Sequence, residues 1–315
     1  MNYIKHIAIT ILACGIALLM GACSNAAPAK QEPEPEPKEA STQLTKKPLD
    51  EYSWTELKQI SARISEAPTP EGQREVAQSF GLVEDDGTIT TQTHKLNLDD
   101  GKYINVRLVG ICHDDASDGS GKVGLTFMTV GGIGIYPMND DATVEGGWEM
   151  SGLRERLASE KKRFDKELAD AIVSVDKYTN NVGLTDSFES ITPTEDELWV
   201  FSVHEVCGDV TWDIDEFRAR RGSEDVDGLV NSEGDQYEAF SQAGVTSETD
   251  PSGMLSLSSS TGTSSWWYRT PYPFEFSGYG DTGSNGYFYQ VSASGFPQSL
   301  GSPEVPTTVV VGFCI

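Results

Sequence analysis

Basic side chains are scarce in this 315-residue chain: 23 Lys and Arg stand against 49 Asp and Glu, a formal charge of −26. Such a field repels phosphate backbones and anionic headgroups, which excludes nucleic acid as a partner of the folded part. Histidine, with 4 residues, and cysteine, with 5, leave little material for a nitrogen- or sulfur-ligated metal. His204-Glu205-Val206-Cys207-Gly208 opens like a metalloprotease zinc helix but lacks the second His one turn on. No Gly-x-Ser-x-Gly elbow occurs, Gly121-Lys122 lacks the flanks of a phosphate loop, and Ser159 with Lys162 forms a Ser-x-x-Lys without its companion motifs. His113-Asp114-Asp115 followed by Asp118-Gly119-Ser120-Gly121 offers oxygen ligands without EF-hand spacing, and reads as a hairpin turn. No catalytic residue, metal or cofactor is therefore expected. Long apolar runs are missing too: the one at Ile7 to Met20 is short for a membrane-spanning helix.

That run has the proportions of a signal-peptide core, with Lys5 ahead of it. It ends in Leu19-Met20-Gly21-Ala22-Cys23, which resembles the lipobox of bacterial lipoproteins. The resemblance implies a signal peptide at 1–22, removed by cleavage before Cys23, and acyl chains on Cys23 that hold the protein at the extracytoplasmic face of a bacterial cell membrane. An ordinary secreted protein cut near the same small residues is the rival reading. Residues 23–50, with Gln31-Glu32-Pro33-Glu34-Pro35-Glu36-Pro37-Lys38 and almost no large apolar side chain, read as a disordered tether. Of the cysteines, Cys112, Cys207 and Cys314 then remain. Outside the cytoplasm one bridge is expected between Cys207 and Cys314, the alternative being three buried free thiols beside apolar neighbours.

Ser53-Trp54-Thr55-Glu56 has the pattern of a capping box, and Leu57, Ile60 and Ile64 follow at helical spacing until Pro68. With a second helix at Glu71 to Phe80 it makes a helical hairpin over 51–85 that caps the domain. The rest, 86–315, reads as one α+β domain with a mostly antiparallel sheet, flanking helices and long loops. Strands are expected at Thr88–Leu96, Tyr103–Cys112, Val123–Val130, Glu197–Ser202, the aromatic segment from Trp266, Gly286–Val291 and Thr307–Ile315. Helices are expected from Met150 to Phe164 and from Asp165 to Val173, with short ones near Asp215–Arg220 and Gln236–Gln242. Residues 208–263 otherwise read as surface loop.

The densest aromatic window opens at Ser264-Ser265-Trp266-Trp267-Tyr268-Arg269-Thr270-Pro271. In strand alternation Trp266 and Tyr268 share one face, Trp267 and Arg269 the other, so at least one Trp belongs to the core. The window is either a fold keystone or a surface on which Trp266, Trp267, Tyr268 and Arg269 bind a ligand such as a sugar ring. Together with Gly146-Gly147-Trp148-Glu149-Met150-Ser151-Gly152-Leu153-Arg154, Trp199-Val200-Phe201-Ser202-Val203-His204-Glu205 and Gly312-Phe313-Cys314-Ile315, it resembles the bacterial cell-surface family called domain of unknown function 6273. That family is similar, in its paired tryptophans and closing strand, to C-type-lectin-like folds of the formylglycine-generating-enzyme group. The resemblance implies a C-type-lectin-like α+β fold in a surface protein. The expected function is a membrane-anchored, non-catalytic binding or adhesion module for a cell-wall or host glycan or a surface protein. A cell-envelope glycan hydrolase using a carboxylate pair, or a structural envelope protein, are the alternatives.

Overall fold

In the computed structural model, which describes residues 44–210, 226–259, 262–274 and 286–315, the fold is α+β and rests on two sheets. The signal peptide, Cys23, residues 24–43 of the tether and the helix anticipated at Asp215–Arg220 lie outside the described residues. The helices are α1 (Trp54–Glu66), α2 (Pro70–Ser79), α3 (Gly152–Glu160), α4 (Lys166–Ala171), α5 (Val203–Cys207), α6 (Val226–Val230) and α7 (Glu238–Gln242). The strands are β1 (Thr93–Asn97), β2 (Tyr103–Ile111), β3 (Leu125–Thr129), β4 (Gly134–Tyr136), β5 (Val175–Asn180), β6 (Ile191–Asp196), β7 (Leu257–Ser259), β8 (Gly262–Ser264), β9 (Trp266–Pro271), β10 (Phe288–Val291), β11 (Ser299–Gly301), β12 (Thr307–Val309) and β13 (Gly312–Cys314).

One sheet runs β1-β2-β3-β13 and is antiparallel throughout. The other runs β11-β10-β9-β12-β4 and is antiparallel except between β9 and β12. The pairs β5–β6 and β7–β8 form separate hairpins. The strand anticipated at Thr307–Ile315 is in fact two, one in each sheet. Val310 and Val311, both buried, carry the chain between them, Val310 in one hydrophobic cluster and Val311 in the other.

Ser53 accepts the Glu56 backbone N–H while the Glu56 carboxylate accepts that of Ser53, so the capping box forms and fixes the start of α1. Trp54, Leu57, Ile60 and Ile64 are buried on its inner face. The Trp54 ring meets Phe127 of β3 and Phe313 of β13 edge-on, with centroids 5.5 and 5.8 Å away. Ser61 Oγ donates to the Ile315 carbonyl, and a Cβ on Gly124 would lie 2.2 Å from the Ser61 carbonyl oxygen. The helical hairpin is thus wired into the first sheet as part of its core. Ordered packing also begins before residue 51, which corrects the tether boundary. Leu44 and Leu49 are buried, and Tyr52 donates from its hydroxyl to the Phe80 carbonyl. Two leucines in a polar stretch suffice because each finds a preformed apolar wall, worth roughly 1.5–3 kcal/mol per fully buried side chain.

Four further expectations are corrected. Glu197–Ser202 is extended and buried from Leu198 on, but it joins the sheet through a single bridge, Trp199 to Gly312, and not as a strand. The cap that the sequence offers at Ser151 does open α3 at Gly152, but Met150, counted with Leu153 and Leu157 on the apolar face, lies ahead of the helix and is 74% exposed. Residues 226–258 are not surface loop, since Leu229, Val230, Tyr237, Phe240, Val245 and Leu255 are buried there. The expected strand at Thr88–Leu96 narrows to β1, preceded by one bridge between Val83 and Ile89.

Gly312 shows how tightly the closing strand is held. A Cβ there would stand 2.8 Å from Phe201 Cζ and from Trp199 Cε2. Gly312→Ala is expected to lose about 1–3 kcal/mol of unfolding free energy through overpacking. Gly131→Ala, where a Cβ meets nothing within 4 Å, should be unchanged; chemical denaturation of the two variants measures both.

Candidate functional site

The four residues proposed from sequence as a ligand-binding surface, Trp266, Trp267, Tyr268 and Arg269, are all 0% exposed. They cannot stack on a sugar ring, and that expectation is corrected. The cause is position: β9 lies inside the five-stranded sheet with packed side chains on both faces, so its alternation sorts the pair between two cores. Trp267 joins the cluster that holds the first sheet and α1, while Trp266 and Tyr268 join the cluster built with α5, α7 and residues 245–257. Both indole N–H groups are satisfied, Trp266 donating to the Leu255 carbonyl at 2.9 Å and Trp267 to the Tyr136 carbonyl at 3.0 Å.

Arg269 organises what lies around it. Its Nη1 and Nη2 hold both oxygens of Glu205, at 2.5 and 2.9 Å. Nε donates to Thr179 Oγ1 at 2.7 Å, Nη1 to the Val200 carbonyl at 3.1 Å, and Nη2 to the Tyr178 and Glu233 carbonyls, both at 3.2 Å. All five N–H donors of the guanidinium are therefore used. Glu205 Oε1 also pairs with Lys177 Nζ at 2.5 Å, and Lys177 pairs with Asp114 Oδ1 at 2.7 Å. Asp114 further accepts from Tyr237 Oη at 2.8 Å and Thr126 Oγ1 at 2.6 Å. Lys177 Nζ stands 4.6 Å from the Trp199 ring centroid.

Burial alone would raise the pKa of Asp114, but Lys177, aided by His113, holds it well below the ordinary carboxylate range. Burial would likewise raise Glu205, and Arg269 with Lys177 keep it low. Burial would lower Lys177, and Asp114 with Glu205 raise it instead. Two cations thus face two carboxylates, and the fifth group is left over. Glu233, 1% exposed, is pushed up by burial to about 7 in spite of Arg269 and the bonds it accepts from the Asn180 N–H and the Thr270 hydroxyl. The constellation binds folded segments to one another and offers no atom to a substrate.

Asp114, a calcium candidate by sequence, is turned inward, while Asp115 pairs with Lys122 and Asp118 accepts the Ser120 N–H. Among the described residues no group of three His, Cys, Asp or Glu side chains is placed to hold a metal ion. Cys112, Cys207 and Cys314 are free thiols, which corrects the expected Cys207–Cys314 bridge. Cys207 lies in one hydrophobic cluster, its Sγ 3.7 Å from the Tyr268 hydroxyl; Cys314 lies in the other, its Sγ 3.2 Å from Thr126 Oγ1. Burial pushes the Cys207 thiol up to about 12, so it is inert.

At the surface, a groove of about 420 Å³ runs between α3 and residues 195–198. Its cations are already engaged, Arg154 Nε with Asp196 at 2.7 Å and Lys161 Nζ with Glu197 at 2.5 Å. Asp196 also accepts from the buried Trp148 Nε1 at 2.9 Å, which anchors the groove wall to the core. No protein-family model matches the chain, and no curated protein or solved structure matches it.

The buried carboxyl Glu233 makes stability depend on pH in a stated direction. Its ordinary pKa is 4.5 and its folded value about 7, so between these the folded protein holds a proton that the unfolded chain has released. Stability therefore falls as pH rises through that window, by on the order of 3 kcal/mol. Asp114 and Glu205, held low, act oppositely and lose their contribution only on acidification below their unfolded values of 3.8 and 4.5. Unfolding midpoints of the parent protein should decline between about pH 5 and 7.5. Glu233→Gln, which keeps one acceptor oxygen for the Asn180 N–H and turns its amide NH2 toward the Thr270 hydroxyl, should flatten the decline, and an equal slope in the variant would remove Glu233 from this role.

Proposed function

We propose that the protein is a lipid-anchored, extracytoplasmic bacterial binding module that acts without catalysis. The observation that carries this reading is Leu19-Met20-Gly21-Ala22-Cys23 at the end of an apolar run, followed by a Pro/Glu-rich stretch. Acylation at Cys23 holds such a protein at a membrane, and an extended tether of about 3.1 Å per residue lifts the domain several tens of Å from it. Binding is favoured over hydrolysis by what the carboxylates do. Asp114 and Glu205 are consumed in internal ion pairs, and Glu233, whose raised pKa would suit a general acid, has no access to a substrate.

Kinship with domain of unknown function 6273, and through it a C-type-lectin-like architecture, belongs to the same proposal. It is supported by how the four segments that carry the likeness converge. Trp199 and Gly312 exchange backbone hydrogen bonds at 3.2 and 2.8 Å, the Arg269 N–H donates to the Phe201 carbonyl at 2.9 Å, and Trp148 shares one hydrophobic cluster with Trp199, Trp267 and Phe313. A binding module needs this rigid interior to hold its surface loops.

The anchor is tested by fractionation. In a bacterial host fed a labelled fatty acid, the parent chain should carry label and sediment with membranes, and Cys23→Ala should lose the label and leave the membrane fraction. Label or membrane retention undiminished in the variant contradicts the reading.

A further inference from the structure

A second groove, of about 520 Å³, lies along the larger sheet, lined by Ile135 of β4, Thr308 of β12, Gln290 of β10 and Leu300 of β11, with Ser265 just before β9. Its volume is that of ordinary small-molecule sites. What distinguishes it is charge. In a chain of net charge −26, none of the described residues lining it is ionisable, whereas the groove beside α3 is lined by Glu149, Glu155, Glu195, Asp196 and Glu197 as well as two cations.

The lining has two chemistries side by side. Ser264, Ser265 and Thr308 present hydroxyls, each both donor and acceptor, that make no hydrogen bond to other described residues. Gln290 fixes its Nε2 on the Leu300 carbonyl at 3.0 Å, which leaves Oε1 as an oriented acceptor. Beside them Ile135 and Val305, 64% and 51% exposed, put bare aliphatic surface at the rim. Gly301 sets the depth of the floor, since a Cβ there would lie 2.6 Å from Trp267 Cζ3 and 2.8 Å from Gln290 Oε1.

An anionic ligand meets the repulsion of the whole molecule and finds no cation here. A cationic one finds no carboxylate among the lining residues, and the neighbouring Glu304 is engaged by the Ser302 hydroxyl at 2.7 Å. A ligand that alternates hydroxyls with C–H faces satisfies the free hydroxyls and covers the aliphatic rim. From this we infer that the groove is a binding site for an uncharged carbohydrate, a segment of neutral polysaccharide from the cell wall or from a host surface. The inference rests on the binding-module reading and gives that module a site and a ligand class.

The test uses the full chain in detergent against uncharged glucan, mannan, galactan and N-acetylated chitin oligomers, with sialylated and sulfated oligosaccharides as the anionic arm. Wall-type and host-type neutral sugars are kept as separate arms to identify the source. The expected result is binding of at least one neutral oligomer, at least tenfold tighter than its anionic counterparts. Thr308→Arg, which fills the groove with bulk and charge, should weaken that binding at least tenfold with an unchanged unfolding midpoint. Should Thr308→Arg fold poorly, the pair Ser264→Ala with Thr308→Val removes only hydroxyls and should still cost severalfold. Silence of every neutral oligomer, equal binding of anionic ones, or affinity unmoved in the folded variants overturns the inference. Those results leave the anchored-module reading to the Cys23→Ala experiment, so the two fail separately.

Discussion

A guanidinium with no contact with water is costly unless every donor is met, and Arg269 meets this requirement with five residues from four stretches of chain. Tyr178 and Thr179 come from β5, Val200 from the buried extended segment, Glu205 from α5 and Glu233 from the turn after α6. None of these can shift without stranding a buried charge. Lys177 and Asp114 extend the same requirement to the turn between β2 and β3, and so to the first sheet. The apolar clusters supply most of the favourable free energy, and the buried charges add a second constraint, since none can move without losing a partner. Register and segment docking in the middle of the molecule are therefore set by electrostatics.

The same burial closes the ionisable side chains of this cluster to a substrate. Two cations face two carboxylates, and Glu233, with no third cation in the cluster, holds its proton up to about pH 7. The groups of this cluster are spent on the interior. On the outer surface, a groove whose described lining carries no charge stands out against a strongly acidic chain.

Elements with a local signal were legible in the sequence. Ser53 and Glu56 marked α1 through capping chemistry, and the alternation of Trp266, Trp267 and Tyr268 placed the two tryptophans on opposite faces, where the structure has them in different clusters. Elements decided by distant partners were not. Lys177 reads as a solvent-facing lysine until Asp114 and Glu205 are seen beside it, and β5–β6, with Pro193 and Glu195 facing outward, carries no apolar run to announce a hairpin. The split of the closing strand at Val310 and Val311 is invisible because both sheets demand the same apolar residues. Glu205 reads from sequence as part of an incomplete zinc motif and of the family-like segment from Trp199, not as an ion-pair partner, and Glu233 gives no signal, since burial in a polar stretch is a tertiary fact.

The measurement that bears most directly on this account is the unfolding free energy of Arg269→Lys. Lysine keeps the charge but has three donors on one atom, so Thr179, Val200, Tyr178 and both oxygens of Glu205 cannot all be served. The account predicts a loss of more than about 2 kcal/mol, in the range seen when a buried charge network is left incomplete. Stability within about 0.5 kcal/mol of the parent, the range of an ordinary surface substitution, would show that charge alone suffices and that the fold does not hang on this guanidinium.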